Sequence, residues 1–282
     1  MNILEKTSVG KHFFKIALLF RDSIFLNAIL TNSEVWYGIT KSDIEKLEDL
    51  DKNLMRRIFS VPSSTPITAL YLESGSMRIS TIIKARRVNF LHYLLKIPQT
   101  DMLSKFFYAQ WQHSTKMDWT EQVKADLSDF ELPLNLESLQ TISKLTFKKT
   151  VKKKAMEFEL RSLLKIKTNQ SKMKNLEYDK LEMQEYLKLD AHLAKTVFKY
   201  RVRMVSFSEN FKGQGPLLPC PLCGLHFDTQ SMSFQCSKVR EKVKISGNYE
   251  NIFKATITKD LAKTLMEITK LKQEQEKTIE NN

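Results

Sequence analysis

The chain has 282 residues, of which 42% are hydrophobic and 27% are charged, and this composition excludes a disordered protein. Glycine and proline occur seven times each, so that few turns are available and an all-α fold is favoured over a sandwich or barrel of many strands. The net charge of +13 favours an anionic partner, nucleic acid or a membrane surface, although a basic surface that only keeps the chain soluble explains it equally well.

No segment is predicted to span or enter a membrane. Residues 13–30 are the most apolar stretch, but Lys15, Arg21 and Asp22 interrupt it, and a spanning helix needs about 20 predominantly apolar residues. The uncharged run 16–20 is too short for the core of a signal peptide. Because the number of cysteines is also odd, we expect reduced thiols and a cytoplasmic or nuclear protein.

Helical patterns follow one another through residues 11–130, which we predict to form one helical unit. Residues 13–30 carry apolar side chains on nearly every side, which is typical of a buried core helix. The next helix is predicted to begin at Thr40 or Ser42. At this end Ser42 and Glu45 have the spacing of a capping box, in which each side chain satisfies a free backbone N–H of the first turn.

Arg86 and Arg87 lie in a helix predicted at about 79–96, between apolar residues. At least one of the two guanidinium groups must therefore be partly buried, and it then needs a carboxylate or carbonyl partner. Glu34 and Glu73 are the candidate partners. The functional alternative is that the exposed arginine contacts the phosphate of a nucleic acid.

Basic residues are concentrated in a second predicted helical unit, residues 134–215. Residues 141–180 hold twelve lysines and arginines against four acidic residues, which is +8 of the net +13. Phe147, Val151 and Phe158 keep an apolar stripe through this window, so that it is predicted to fold as a helix. Its basic face either contacts phosphate or is only solvated. The candidate nucleic-acid contacts are Lys148, Lys149, Lys152, Lys153, Lys154, Arg201 and Arg203.

The three cysteines of the chain fall within seventeen positions, in the segment 216–240. Cys220 and Cys223 form a C-x2-C pair, which places two thiolates on one tight turn, and Cys236 follows. Thiolates at this spacing are typical of a structural zinc site. The alternative is three half-buried thiols that bind no metal.

Seven short segments, in a fixed order, carry a resemblance to a known family. They are LTNSEVWYG at 30–38, LYLESG at 70–75, the run of arginines and aromatic residues at 86–93, KMKNL at 172–176, RVRM at 201–204, NFK at 210–212 and the cysteine segment at 220–236. Together they resemble the region that follows the polymerase palm in non-LTR (LINE-type) retrotransposon reverse transcriptases. The resemblance covers residues 11–255.

The resemblance implies the C-terminal remnant of an RNA-directed DNA polymerase. Residues 11–130 would be a thumb-like unit, 216–240 a zinc-knuckle-like segment and 241–275 a C-terminal amphipathic helix. Such polymerases hold two catalytic metal ions on aspartates of the palm, and this sequence contains no Asp-Asp pair. We therefore expect a chain that binds RNA or an RNA–DNA hybrid, takes no small-molecule substrate and does not polymerise.

The cysteine segment departs from the family pattern at Met232. In the family a histidine follows the Asp-Thr-Gln stretch and precedes the last cysteine, and here Met232 holds that place. Zinc takes four nitrogen or sulfur ligands, and the only nearby imidazole is that of His226. The expected ligand set, after rearrangement of the loop, is Cys220, Cys223, His226 and Cys236. The alternative is a degenerate knuckle without metal.

A rival interpretation is a helical scaffold that binds protein and has no catalytic or nucleic-acid role. In it, the apolar stripe of the last helix, from Leu261 through Leu265 and Ile268 to Leu271, docks a partner helix. The lysines then only keep the chain soluble. A steep salt dependence of RNA or DNA binding separates the two interpretations.

Overall fold

The structure is a computed structural model that describes residue 10 and residues 12–115, 118–211, 216–254 and 256–280. Of the described residues 67% are helical and none lies in a β-strand, so that the prediction of an all-α fold is confirmed. Within these same ranges, no helix is both long and apolar enough to cross a bilayer.

The α-helices are labelled in chain order. They are α1 (Phe13–Phe20), α2 (Leu26–Ile29), α3 (Lys41–Phe59), α4 (Ile67–Ser74), α5 (Ile79–Lys96), α6 (Met102–Gln112), α7 (Trp119–Asp129), α8 (Leu136–Thr141), α9 (Lys144–Lys167), α10 (Ala191–Arg201), α11 (Gln230–Ser233), α12 (Ser237–Lys242) and α13 (Lys259–Glu280). A π-helical turn, Arg21–Phe25, continues α1 into α2. The helix predicted at 13–30 is therefore present, with a wide turn in its middle.

The prediction that this first helix is buried on nearly every side is wrong. Phe14 and Leu18 are buried, but the side chains of Leu19, Phe20 and Ile24 are at least half exposed. Only one stripe of the helix therefore packs on the protein.

Helix α3 begins with a capping box, but not with the one proposed at Ser42. The backbone N–H of Asp43 donates to the hydroxyl of Thr40 at 3.2 Å, and the backbone N–H of Thr40 donates to the Asp43 carboxylate at 3.3 Å. The Thr40 hydroxyl also donates to the Asp43 carboxylate at 2.7 Å, and this bond, together with the one from the Thr40 N–H, holds the pKa of the Asp43 carboxyl below its usual value. The start at Thr40 is thus confirmed, whereas the partner of the cap is Asp43 rather than Glu45.

The chain divides into two compact units, neither of which is continuous in sequence. Among the described residues, unit 1 takes in those of 1–19, 56–74 and 166–282, and unit 2 takes in those of 20–55 and 75–165. Helices α3 and α9 each contribute residues to both units. The bounds therefore differ from those proposed from the sequence, which cut the chain into consecutive pieces.

Unit 2 has a core built on α5, α7 and α9. Leu91 of α5, Val123 of α7 and Phe147 of α9 are buried in one apolar cluster. Arg78 precedes α5, and its Nε donates to the buried carboxylate of Glu159 on α9 at 2.7 Å. The ion pair and the cluster together fix which face of α9 points inward.

Arg86 and Arg87 both have partners inside unit 2. Arg86 Nη1 donates to the backbone oxygen of Leu30 at 2.5 Å, and Arg87 Nε donates to the carboxylate of Asp126 at 2.7 Å. The prediction that a guanidinium here needs a carbonyl or carboxylate partner is confirmed. Neither of the two glutamates named from the sequence is that partner.

Unit 1 is organised around α10. Phe198 of this helix packs on Phe59 with ring centroids 4.5 Å apart, and Phe59 packs in turn on Phe14 at 5.0 Å. Helix α13 packs along α10. Its apolar stripe is buried at Leu261, Leu265 and Ile268. Contrary to the hypothesis that this stripe docks a partner helix, unit 1 already covers it at these three residues, while Leu271 is half-buried.

Candidate metal centre and nucleic-acid interface

The three cysteines meet in unit 1. The sulfur atoms of Cys220, Cys223 and Cys236 lie within 4.8 Å of one another, and those of Cys220 and Cys236 are 4.0 Å apart. A tetrahedral zinc ion with bonds of about 2.3 Å to sulfur sets its thiolates about 3.8 Å apart. A contraction of up to about 1 Å would therefore bring the three sulfur atoms to the spacing of zinc ligands, and the cluster could bind a metal ion.

A tight turn places the first two cysteines. The backbone N–H of Gly224 donates to the oxygen of Cys220 at 2.8 Å, and the N–H of Cys220 donates to the oxygen of His226 at 2.6 Å. Gly224 has a φ of +68°, a left-handed conformation that glycine adopts without steric cost. An isolated antiparallel bridge between Pro219 and Phe227 closes the base of the turn.

The third cysteine reaches the same point from a helix end. Cys236 is the residue before α12, and its backbone N–H donates to the oxygen of Met232 at 2.9 Å. Its sulfur is buried, and burial raises the pKa of this thiol to about 11, although backbone N–H groups of Val239 and Lys238 hydrogen-bond the sulfur. A bound cation would offset that cost, since metals bind the thiolate.

The pKa of the Cys223 thiol is shifted in the opposite direction from that of Cys236. Burial acts to raise its pKa, but hydrogen bonds from the backbone N–H groups of Leu225 and His226, and from the neighbouring thiols, outweigh burial and lower the pKa. The turn therefore favours a thiolate at the second position of the C-x2-C pair. Donors of this kind are common around structural metal sites because they orient the sulfur ligands.

Among the described residues, none of the expected type supplies the fourth ligand of a tetrahedral site. His226 lines the same small cavity as the cysteines, but its side chain is exposed and does not belong to the group of close ligand atoms. Met232 lines this cavity too. The carboxylate of Asp228, another lining group, is paired with Lys272 at 2.6 Å. The structure thus brings together three of the four ligands expected from the sequence.

The Asp-Thr-Gln stretch between the cysteines is structural. Asp228 pairs with Lys272, and Thr229 caps α11 by accepting a hydrogen bond from the N–H of Met232 at 3.1 Å. Gln230 is fully buried, and its amide donates to the backbone oxygen of Tyr200. These contacts anchor the cysteine segment to the rest of unit 1.

The basic face of α9 is exposed, as the sequence predicts. The side chains of Lys148, Lys149, Lys152 and Lys153 face solvent, while Phe147, Val151, Ala155, Glu159 and Leu163 are buried on the other side of the helix. The buried positions recur every four residues, which is why adjacent lysines all fall on the opposite surface.

Most of these lysines form no ion pair with a carboxylate of the described residues. In the described part of the chain, Lys148 and Lys149 lie within 4.0 Å of no carboxylate. Lys153 is 76% exposed, and its one ion pair, with Glu157, spans 3.9 Å. Lys154 is different, because its half-buried ammonium pairs with Glu131 at 3.1 Å and with Glu157 at 3.3 Å. Lys154 is therefore the weakest of the five candidate contacts.

Arg201 does not belong to the surface. The residue is 1% exposed, and its Nε donates to the buried carboxylate of Glu73 at 3.0 and 3.2 Å. Its Nη1 donates to the backbone oxygens of Ile252 and Lys254 at 2.7 and 2.9 Å. The prediction that Arg201 contacts nucleic acid is wrong, because its donors are used inside unit 1.

Arg203 lies just beyond α10, in a left-handed backbone conformation with a φ of +52°. Its side chain is half-buried. Its charge acts on Tyr249, where burial raises the pKa of the hydroxyl and Arg203 partly lowers it. Arg203 therefore stays a candidate contact, in a different unit from the α9 lysines.

Comparisons with known proteins add no relative: no family model matches the chain, and neither the curated proteins nor the solved structures contain a match.

Proposed function

We propose that the chain binds RNA or an RNA–DNA hybrid through the basic face of α9. The observation that carries this proposal is the run of exposed lysines at Lys148, Lys149, Lys152 and Lys153, most of them without a close carboxylate, on a helix whose other face is buried. Phosphate contacts of this kind neutralise the backbone and carry little sequence information. We therefore expect weakly specific binding, in the micromolar range typical of non-specific complexes.

The proposal includes an origin and a lack of catalysis. The resemblance of the sequence to the region after the palm of a non-LTR reverse transcriptase supports a remnant of such an enzyme that no longer polymerises. Template-dependent DNA synthesis with magnesium is the assay. Incorporation of nucleotides above background that is lost when an aspartate of this chain is changed would contradict the proposal.

Zinc is the metal that we assign to the cysteine cluster. Its three thiolates are soft ligands that lie close together, a donor set that suits zinc, and the surrounding turn is held by backbone hydrogen bonds. In this position zinc would be structural: it would fix the turn of Cys220 and Cys223 to the end of α12. We expect about one zinc per chain by metal analysis.

The fourth ligand distinguishes an intact site from a degenerate one. If three thiolates and a water molecule or the His226 imidazole suffice, zinc is retained in purified protein and lost in Cys220→Ser. If the protein as purified contains no zinc, Met232→His should restore binding, because it returns an imidazole to the cavity that the sulfur atoms line. A failure of both the natural chain and this variant would rule out a zinc site.

The binding experiment uses two variants of equal charge. The α9 variant changes Lys148, Lys149, Lys152, Lys153 and Lys154 to glutamine. The control variant changes five lysines that already pair with a carboxylate three or four residues away: Lys41, Lys46, Lys188, Lys238 and Lys263. Both variants lose five positive charges, so that a difference between them reports position rather than net charge.

Fluorescence anisotropy with a labelled RNA hairpin and a labelled RNA–DNA hybrid measures the affinity. We expect the α9 variant to bind at least tenfold more weakly than the natural chain and the control variant to bind within about threefold of it. Equal weakening in both variants would mean that the basic face of α9 is only a solvated surface.

A further inference from the structure

Unit 1 contains a second cationic feature, a groove between α10 and α13. Its volume is about 440 Å³, within the range of about 300–1,000 Å³ that small-ligand sites occupy. Helix α10 contributes His192, Thr196 and Lys199, at positions one turn apart, and α13 contributes Thr269 and Lys270. Residues 204–206, which follow α10, also line the groove and are called its floor below.

Two of the lysines that line the groove have no paired carboxylate in the part of the chain that the structure describes. Among the described residues, neither Lys199 nor Lys270 has a carboxylate within 4.0 Å. Lys199 is half-buried, and burial together with the neighbouring Lys195 lowers the pKa of its ammonium. The half-buried ammonium of Lys199 therefore lacks a counter-ion within the described parts of the protein, and a bound anion would supply one.

The negative charge near the groove is already engaged. Asp228 is paired with Lys272, whose ammonium also lies 3.9 Å from Glu276 at the rim. The hydroxyl of Ser206 on the floor donates to the same glutamate at 3.5 Å. Lys199 and Lys270 are therefore the charges that remain to meet a ligand.

The apolar part of the lining is rich in sulfur. Met204 and Val205 line the floor and Met266 lines the α13 wall. The thioether of Met204 accepts a contact from the ammonium of Lys172 at 3.4 Å, so that a further lysine approaches the floor. Methionine packs favourably on aromatic rings, whose edges contact its sulfur.

We propose that this groove binds a nucleotide, with its phosphate on Lys199 and Lys270 and its base against Met204 and Met266. The two lysines and the two methionines line one groove, which suits a ligand that is anionic at one end and aromatic at the other. The ligand is either a free mononucleotide or one nucleotide unit of a single-stranded chain. This site goes beyond the proposed function, because it lies in unit 1 and the α9 lysines lie in unit 2.

The test is isothermal titration calorimetry on the full chain with adenosine 5′-monophosphate, adenosine, inorganic phosphate and a 12-nucleotide single-stranded RNA. Lys199→Met removes the half-buried charge while keeping an apolar stem of similar length, and Lys270→Gln changes an exposed position, where a substitution has little effect on stability. The matched control is Lys263→Gln, on the same helix, where the lysine pairs with Asp260 outside the groove.

We expect Lys199→Met and Lys270→Gln each to weaken binding of the monophosphate about tenfold, the size of a lost charge-assisted hydrogen bond, and Lys263→Gln to leave it within twofold. The α9 variant should bind the monophosphate as the natural chain does, which separates this site from the proposed function. Binding of the RNA alone, weakened in the same two variants, would assign the groove to one unit of a polynucleotide chain.

Three results would overturn the proposal. The first is that neither the monophosphate nor the RNA responds to Lys199→Met or Lys270→Gln. The second is that inorganic phosphate binds as tightly as the monophosphate, which would show that contact of the base with Met204 and Met266 adds no affinity. The third is that the α9 variant loses monophosphate binding.

Discussion

Helices α9 and α13 are both long, amphipathic and rich in lysine, yet they use their charge differently. On α9, Lys148 and Lys149 project into solvent with no carboxylate within 4.0 Å in the described part of the chain. On α13, Lys272 is buried against Asp228, with its ammonium 2.6 and 2.7 Å from the two carboxylate oxygens and 4.0 Å from the ring centroid of Phe207. Helix α9 presents its charge to solvent, whereas Lys272 of α13 uses its charge to hold the cysteine segment.

The comparison shows that the surroundings of a lysine, rather than the charge of its helix, decide its role. A buried pair contributes little over an apolar replacement, but removing one partner leaves the other charged and unsolvated. An exposed lysine contributes almost nothing to stability. Replacing the buried Lys272 should therefore affect folding, and replacing the exposed lysines of α9 should affect binding alone.

The largest loss of folding stability is expected for Lys272→Met. The change leaves the Asp228 carboxylate buried without its counter-ion, which costs about 3–5 kcal/mol of the free energy of unfolding. Urea denaturation at pH 7 is the measurement. The double variant Lys272→Met/Asp228→Asn removes the stranded charge and should recover most of the loss. A single variant as stable as the natural chain would show that α13 does not depend on this pair.

Metal removal should have the next largest effect. A zinc ion present at one hundred times its dissociation constant stabilises the folded chain by about 2.7 kcal/mol, because it binds the folded cysteine cluster. Adding a strong chelator should therefore lower the urea midpoint by a corresponding amount, and Cys236→Ser should abolish the response to chelator. A midpoint that chelator does not move would indicate that no metal contributes to the stability of this segment.

The α9 variant should leave stability nearly unchanged. Four of its five substitutions are at exposed positions, where the expected change is within about 0.5 kcal/mol, and the fifth is at the half-buried Lys154. Circular dichroism and urea denaturation should match those of the natural chain, with Lys154→Gln the most noticeable single change because its ion pairs with Glu131 and Glu157 are lost. A cooperative loss of helicity would mean that the lysine face supports the fold, contrary to the comparison with α13.

Acidification should weaken unit 2 through His92, which contacts the buried face of α9. The imidazole stacks on Phe147 with ring centroids 4.2 Å apart, and burial lowers its pKa, although a hydrogen bond to the oxygen of Ile142 opposes the shift. Because the pKa is lower in the folded chain than in the unfolded one, stability is fully present above about pH 6.5 and falls as the pH drops below it.

The measurement is urea denaturation at pH 7.5 and pH 5.5. The natural chain should lose part of its stability over this interval, and His92→Gln should lose less, because it has no imidazole to protonate at this position. An equal loss in both chains would assign the pH dependence to other groups.

Sequence reasoning succeeded where the cause is local. The helical period of Phe147 and Val151 placed the α9 lysines on the exposed surface, and the C-x2-C spacing identified the turn that brings Cys220 and Cys223 together. In each case the residues that determine the geometry lie within a few turns of one another. The fold class follows for the same reason, since helices form from local hydrogen bonds.

The sequence failed where a partner is distant. Arg201 has the same charge as Arg203 two residues later, and only the folded chain shows that Glu73, 128 residues away, takes its guanidinium inside unit 1. The sequence of the apolar stripe of α13 likewise does not distinguish packing against α10 from packing against another protein. The sequence therefore did not reveal which distant residues contact each other, either for the buried charges or for the covered face of α13.

The most direct test of the account is the salt dependence of RNA binding by the natural chain, the α9 variant and the control variant. Each phosphate contact adds about 0.7–0.9 to the negative slope of log affinity against log salt concentration. We expect the α9 variant to lose several units of slope and the control variant to keep the slope of the natural chain. Equal slopes in all three proteins, or an equal loss in both variants, would contradict the claim that the basic face of α9 binds the phosphate backbone.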